Sequence, residues 1–131
     1  MPQRDIGLIL MRQLASGLAV PMLLADHEGD LLYFNEPAEV LLGRRFDDVG
    51  DLSLDLRRRL LAFRDEDGNP LPPDQPPLVV ALRERRPVHR RVWMHGLDGV
   101  DRAIEAVAFP LLGGGGLLIG GVAMFWERKQ Q

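Results

Sequence analysis

Side chains that commonly do chemistry are scarce in this 131-residue chain. It has no Cys and no Thr, Ser16 and Ser53 are its only serines, and its histidines are His27, His89 and His95. Without Cys there can be no disulfide, thiolate zinc site, Cys nucleophile or Cys-linked chromophore. A serine nucleophile needs a base beside it, and both serines fall at expected helix boundaries with none at hand. His27 sits in a turn, and His89 and His95 lie six residues apart on one segment, a poor set of metal ligands. Gly113 to Gly116 lack the following Lys-Ser or Lys-Thr of a phosphate cradle and read as a hairpin turn. Asp65 to Asn69 open like a calcium loop, but Gly68 comes too early and no Glu closes the loop. The other carboxylates crowd turns, where capping and solvation account for them. Nothing converges into a catalytic constellation, so the expectation is a protein that is not an enzyme.

Composition sets the remaining bounds. Hydrophobic residues make up 46% and charged residues 27%, the balance of a soluble globular chain with one core. The formal charge of −3 offers no basic field for nucleic acid or an anionic membrane. Arg57 to Arg59, Arg83, Arg85, Arg86, Arg90 and Arg91 form local basic clusters. They are interleaved with acids and read as solvated faces, with nucleic-acid binding as the alternative. No signal peptide opens the chain. The longest apolar run, Gly113 to Trp126, is Gly-rich and too short to span a bilayer as a helix. A cytoplasmic location is the default expectation.

The elements follow from periodicity. Ile6, Ile9, Leu10 and Leu14 recur at helical spacing over 3–16 and form one apolar stripe, stopped at Gly17. Residues 18–26 are short and apolar and read as a strand. His27 to Asp30 make a turn, with Gly29 able to take positive φ, and 31–35 return as a second strand. Asn35 then suits the N-cap of a helix running to Leu42. Pro37 is tolerated early, Glu36 and Glu39 suit the positive end of the dipole, and Gly43 ends the helix. A helical turn over 46–52, a helix over 54–63, a Pro-rich loop over 64–77 and a helix over 78–85 come next. Three strands close the chain, 87–96, 100–112 and 116–127, joined by short turns and therefore antiparallel. The class is α+β: a five-stranded antiparallel sheet with short helices on one face and an N-terminal helix. No repeat or interdomain linker is visible.

These words in this order resemble the PAS sensor domain. Asp26, Gly29, Asn35, Ala38 and Gly43 match that family's first hairpin and helix. Asp67 to Pro72, then Pro77-Leu78, Ala81-Leu82 and Pro87-Val88, match its loop-and-helix stretch. Phe109-Pro110-Leu111, a glycine turn and Trp126 to Lys129 match its end. The resemblance covers roughly residues 14–129. It implies one PAS domain over 1–131, with 1–17 as an N-terminal helix and 18–129 as the core. Met124 and Trp126 stand where the family's closing Asp-x-Thr usually lies, so hand-off to an attached output module is in doubt. The expectation is a stand-alone domain signalling through a separate partner protein.

The resemblance also implies a pocket between the sheet and its helices. Alternation then places Leu23, Ala25, Leu31, Tyr33, Val92, Met94, Ile104, Ala106, Ala108, Leu118, Gly120 and Val122 inward, with Phe46, Val79 and Leu82 from the helices. The many small residues leave room for a small apolar ligand, with a plain filled core as the alternative. Tyr33 is the one polar anchor. The outer face would carry Trp93, His95, Glu105, Val107, Phe109, Ile119, Gly121, Ala123 and Phe125, too apolar to leave in water. Either the chain's own 3–16 helix covers it, or a homodimer does, through Ile6, Ile9, Leu10, Leu14, Trp93, Val107, Phe109, Ile119 and Phe125. The cofactor is unknown. Covalent flavin and coumaric-acid chemistry need the missing Cys. Haem sensors of the family take an axial His from the helix before the central strands, and residues 75–86 hold none.

Overall fold

The computed structural model describes residues 3–43, 45, 46, 62–96 and 98–128, with side chains from Gly7 onward. In chain order the elements are α1 (Gln3–Ser16), β1 (Met22–Asp26), β2 (Leu31–Phe34), α2 (Glu36–Leu42), β3 (Phe63–Arg64), α3 (Pro77–Glu84), β4 (Val88–His95), β5 (Asp101–Leu112) and β6 (Leu118–Glu127). The strands form one antiparallel sheet in the order β2-β1-β6-β5-β4-β3. It has six strands rather than the expected five. Phe63 and Arg64, assigned from sequence to a helix end and a loop, pair with Met94 and Trp93. The expected turn over 46–52 and helix over 54–63 otherwise fall almost entirely outside the described residues.

The opening hairpin forms as its residues dictate. Gly29 takes φ 91° in the turn. Gly43 ends α2 at φ 79° and donates its N–H to the Glu39 carbonyl, the left-handed termination that glycine accepts at least cost. β1 starts only at Met22, because Pro21 has no N–H to give a ladder.

Two faces of the sheet are buried differently. On one, α2 and α3 cover a core that includes Phe34, Ala38, Leu42, Val92, Met94, Ile104, Ala106 and Phe125. A second cluster continues it beneath α3, with Ala25, Leu78, Ala81, Ala108 and Ala123. On the other face α1 lies across β1 and β6, burying Ala15 against Met22, Leu24 and Val122 with Leu8 and Met11 beside it. The chain therefore covers part of its outer sheet face with its own N-terminal helix.

Two bulges decide which residues point where. In the β1–β2 pair, Leu24 faces Tyr33 but Ala25 faces Leu31, so Leu32 is an extra residue. In the β5–β6 pair, Leu111 faces Gly120 but Leu112 faces Leu118, so Ile119 is extra. Each bulge shifts the alternation by one residue, and beyond it every side chain changes face.

Candidate functional site

Asn35 is fully buried and is the only buried polar or charged side chain among the described residues. Its Oδ1 accepts from Met22 N at 2.9 Å and from Ala38 N at 3.2 Å. Its Nδ2 donates to the Ala15 carbonyl at 2.9 Å and the Val20 carbonyl at 2.8 Å. Every hydrogen-bonding site of the amide is thus used. One side chain caps α2, pins the start of β1 and holds the end of α1. Sequence reading found the cap; the bonds to Ala15 and Val20 had no local signal, because they cross 20 and 15 residues.

Between the sheet and the helices lies a cavity of about 30 Å³ lined by Leu23, Leu42, Phe63, Pro77, Leu78, Met94, Ile104, Ala106, Ala123 and Phe125. All ten are apolar, and a void with no polar partner for water stays dry. Leu23, Met94, Ile104 and Ala106 stand where the sequence placed them. Ala25, Leu31, Phe46, Leu82, Val92 and Ala108 belong to the surrounding core without lining the void. Val79 is half-buried and does not line it, and Leu118 pairs with Leu112 at the hairpin end.

Three pocket assignments fail, and the bulges explain them. Tyr33, Gly120 and Val122 face α1, not the cavity: Tyr33 and Val122 pack in the α1-side cluster, and a Cβ added at Gly120 would meet the Leu8 side chain at 3.1 Å. Phe125, expected on the outer face and in a dimer interface, points inward, as do Ala123 and Gly121. Phe34, overlooked in the sequence, takes the inward place given to Tyr33. Tyr33 instead stacks beneath the Arg12 guanidinium, 4.6 Å from its ring centre. It also meets Phe46 edge-on at 5.3 Å.

The residues proposed for an interface divide in the same way. Phe109 is covered within the chain on the α1 side, and Ile119 Cδ1 lies beneath Gly7 of α1. Trp93 and Val107 remain half-buried on the outer face. α1 uses Leu8, Met11 and Ala15 against the sheet. Ile9, Leu10 and Leu14 stay 49%, 60% and 54% exposed. The Ile6 side chain lies outside the described residues.

The outer face of β4 and β5 also carries a polar cluster. His89 Nε2 lies 2.9 Å from Glu105 Oε1, and Trp126 Nε1 donates to Glu105 Oε2 at 3.2 Å. Burial pushes the Glu105 carboxyl up, but these two bonds and the Arg91 charge outweigh it and hold Glu105 below its usual range. Asp101 is depressed first by its bond to His95, at 2.8 Å, and then by Arg64. Among the described residues no group of His, Asp and Glu could hold a metal.

No family model matches the sequence, and neither does any curated protein. Solved structures do match. The PAS domain of Bordetella pertussis BvgS superposes with a TM-score of 0.65 at 20% identity, over 95% of this chain and 88% of that one. The Rhodobacter sphaeroides LOV protein gives 0.71 at 14% identity, over 98% and 70%. The LOV domain of the Erythrobacter litoralis EL346 blue-light activated histidine kinase gives 0.63 at 20%, over 86% and 99%.

The chain has the PAS fold.

Within that fold, covalent flavin chemistry would need the Cys that the sequence lacks. The cavity is about 30 Å³ and apolar among its described lining residues. The buried amide of Asn35 has no hydrogen bond left to give a ring edge. Among the described residues, no helix is long and apolar enough to cross a membrane.

Proposed function

We propose that this PAS-fold chain is a non-catalytic signalling module. It pairs with a second copy of itself through the outward face of α1 and passes its signal to a separate partner protein. One observation carries the reading: α1 is already packed on the sheet, yet Ile9, Leu10 and Leu14 remain about half exposed. A helix needs only one apolar stripe to dock on its own sheet. A second one costs solubility unless something covers it. Leu10 and Leu14 lie one turn apart, the i, i+4 ridge that interdigitates between crossed helices. Burying the exposed half of each side chain is worth about 1 kcal/mol. Gln13 and Gly17 share this face without charge, so a two-fold axis can bring it against its copy with no like charges opposed.

A small apolar ligand inside the sheet is a second reading, favoured by the dry cavity beside Met94, Ile104 and Ala106. Drug-sized ligands need roughly 300–1,000 Å³, so a larger ligand requires α2 or α3 to move outward. Its signal would be the difference in its affinity for the two lid positions.

The mass of the native protein in solution tests the first reading. A dimer that Leu10→Glu with Leu14→Glu converts to monomer supports it; an unchanged mass in the folded double variant removes it. Native mass spectrometry tests the second: an additional mass released on unfolding, and lost in Ala106→Val, is the expected result. A clean protein mass in both counts against an internal ligand.

A further inference from the structure

Arg128, just past the end of β6, carries a donor without an acceptor. Its backbone N–H donates to the Ala103 carbonyl at 2.8 Å, which sets it beside β5. Its Nε is buried and has no hydrogen-bond partner. A buried donor left unpaired costs stability, more so on a charged group, and such an atom marks a place where an acceptor belongs. Trp93 of β4 pairs with Ala103 from the other side. Trp93, Ala103 and Arg128 therefore form one row across the sheet. Ala103 is the small residue between two large ones, and a cavity of about 270 Å³ opens there, lined by Trp93, Asp101, Arg102, Ala103, Glu127 and Arg128.

The acids nearby do not answer this cation. Asp101 Oδ1 lies 2.8 Å from His95 Nδ1, and its Oδ2 accepts from Arg64. Glu105, two residues beyond Ala103 on β5, is shared by His89, Arg91 and Trp126. Arg102, the other cation of the lining, donates to Asp98 through Nη1 at 3.3 Å and Nη2 at 3.0 Å. The charge of Glu127 acts on Arg102 as well. Each of these acids has a cation of its own, and the Arg128 guanidinium has no ion-pair partner among the described residues.

We propose that this cavity binds a small organic carboxylate, its anion paired with the Arg128 guanidinium and its apolar body lying against Trp93 over Ala103. A planar guanidinium meets a planar carboxylate through two parallel N–H···O bonds, one of which Nε can supply. Asp101 and Glu127 in the lining select the charge, because they repel a dianion such as phosphate more strongly than a monoanion. The half-buried Trp93 indole offers the apolar wall. The volume selects the size: it falls just below the roughly 300–1,000 Å³ of drug-sized sites, which suits one ring or a short chain. The site uses no residue of α1 and none that lines the inner cavity, so it stands apart from both readings of the preceding section.

Titration of the protein with sodium benzoate tests this, followed by NMR at the Arg128 Nε–H and at the indole N–H signals of Trp93 and Trp126, its two tryptophans. The expected result is a saturable shift at Arg128 and Trp93. Benzamide, the neutral counterpart, and sodium chloride at equal ionic strength should produce none. Two variants probe the two halves of the site, each checked for folding by circular dichroism. Arg128→Met removes the donors and keeps an apolar stem; Ala103→Leu fills the cavity and keeps the arginine. Each should weaken benzoate binding at least about tenfold. Benzamide binding as tightly as benzoate, or undiminished benzoate binding in Arg128→Met, overturns the carboxylate site. Binding lost in Arg128→Met but intact in Ala103→Leu overturns the cavity and leaves only an exposed edge of the arginine. A wild type with no saturable shift overturns the proposal and assigns Nε to water.

Discussion

Replacing Asn35 by Asp changes one heavy atom of a fully buried side chain and should cost as much stability as truncating a large core residue. Aspartate is as good an N-cap as asparagine, so a residue serving only α2 would tolerate the change. The two accepted bonds, from Met22 N and Ala38 N, survive it. The two donated bonds do not: the new oxygen would face the carbonyls of Ala15 and Val20, now 2.9 and 2.8 Å from Nδ2. Leaving a buried acceptor unsatisfied costs about 1–3 kcal/mol, so two such losses plus a buried charge put the penalty near 3–5 kcal/mol at pH 7. The penalty must also depend on pH. Burial and two opposed carbonyls raise the folded-state pKa of the introduced carboxyl above its unfolded value of about 3.9. Below that value the group is protonated in both states and can donate one of the lost bonds. As pH rises above it, the unfolded chain releases the proton first, and stability falls by up to about 1.4 kcal/mol per pH unit until the folded-state pKa is passed. Urea denaturation of both proteins between pH 3 and 7 measures the gap between them. A gap below about 1 kcal/mol at pH 7, or one that does not widen from pH 4 upward, would refute the donated bonds to Ala15 and Val20.

Three other outcomes follow from the same geometry. Phe125→Ala should cost about 3–5 kcal/mol because Phe125 is 2% exposed on the cavity side. The neighbouring Trp126→Ala, at a site 39% exposed, should cost under about 1.5 kcal/mol; the reverse order in chemical denaturation would mean β6 is in the other register. Asp101 has its pKa lowered first by His95 and then by Arg64, so its stabilising effect is present above the unfolded value of 3.8 and is lost as pH falls through the lower folded value. Asp101→Asn should therefore flatten the acid limb of the stability profile below about pH 4, and an unaltered limb in acid titration by circular dichroism would rule the pair out as a contributor.

Much of the fold was legible because its signals are local. Asn35, Gly29 and Gly43 each announce a cap or a positive-φ turn within a few residues, and the structure uses all three that way. β3 was not legible: two residues carry too little pattern, and only their pairing with Met94 and Trp93 makes them a strand. The sheet faces were legible up to each bulge and wrong after it. Reading β6 forward from Ile119, correctly placed toward α1, alternation turns Gly121, Ala123 and Phe125 outward; the extra residue puts Ile119 and Gly120 on one side and reverses all three. Leu32 does the same to Tyr33 and Phe34.

Those two slips also shaped the functional expectation. With Gly120, Val122 and Tyr33 inward, the space between sheet and helices looked roomy and had a phenol to anchor a ligand. With the bulges in place, Phe34 and Phe125 enter it and the phenol leaves; the cavity that the described residues line there is about 30 Å³. The β5–β6 bulge also leaves Ile119 packed between Gly7 of α1 and Gly113 of the glycine turn, where Leu112 and Leu117 stand exposed. A register shift of one residue thus moves the weight of the functional reading from the interior of the sheet to its α1 side. Filling the core takes both inserted residues, Leu32 for Phe34 and Ile119 for Phe125, and the packing of Ile119 against α1 follows from the second alone.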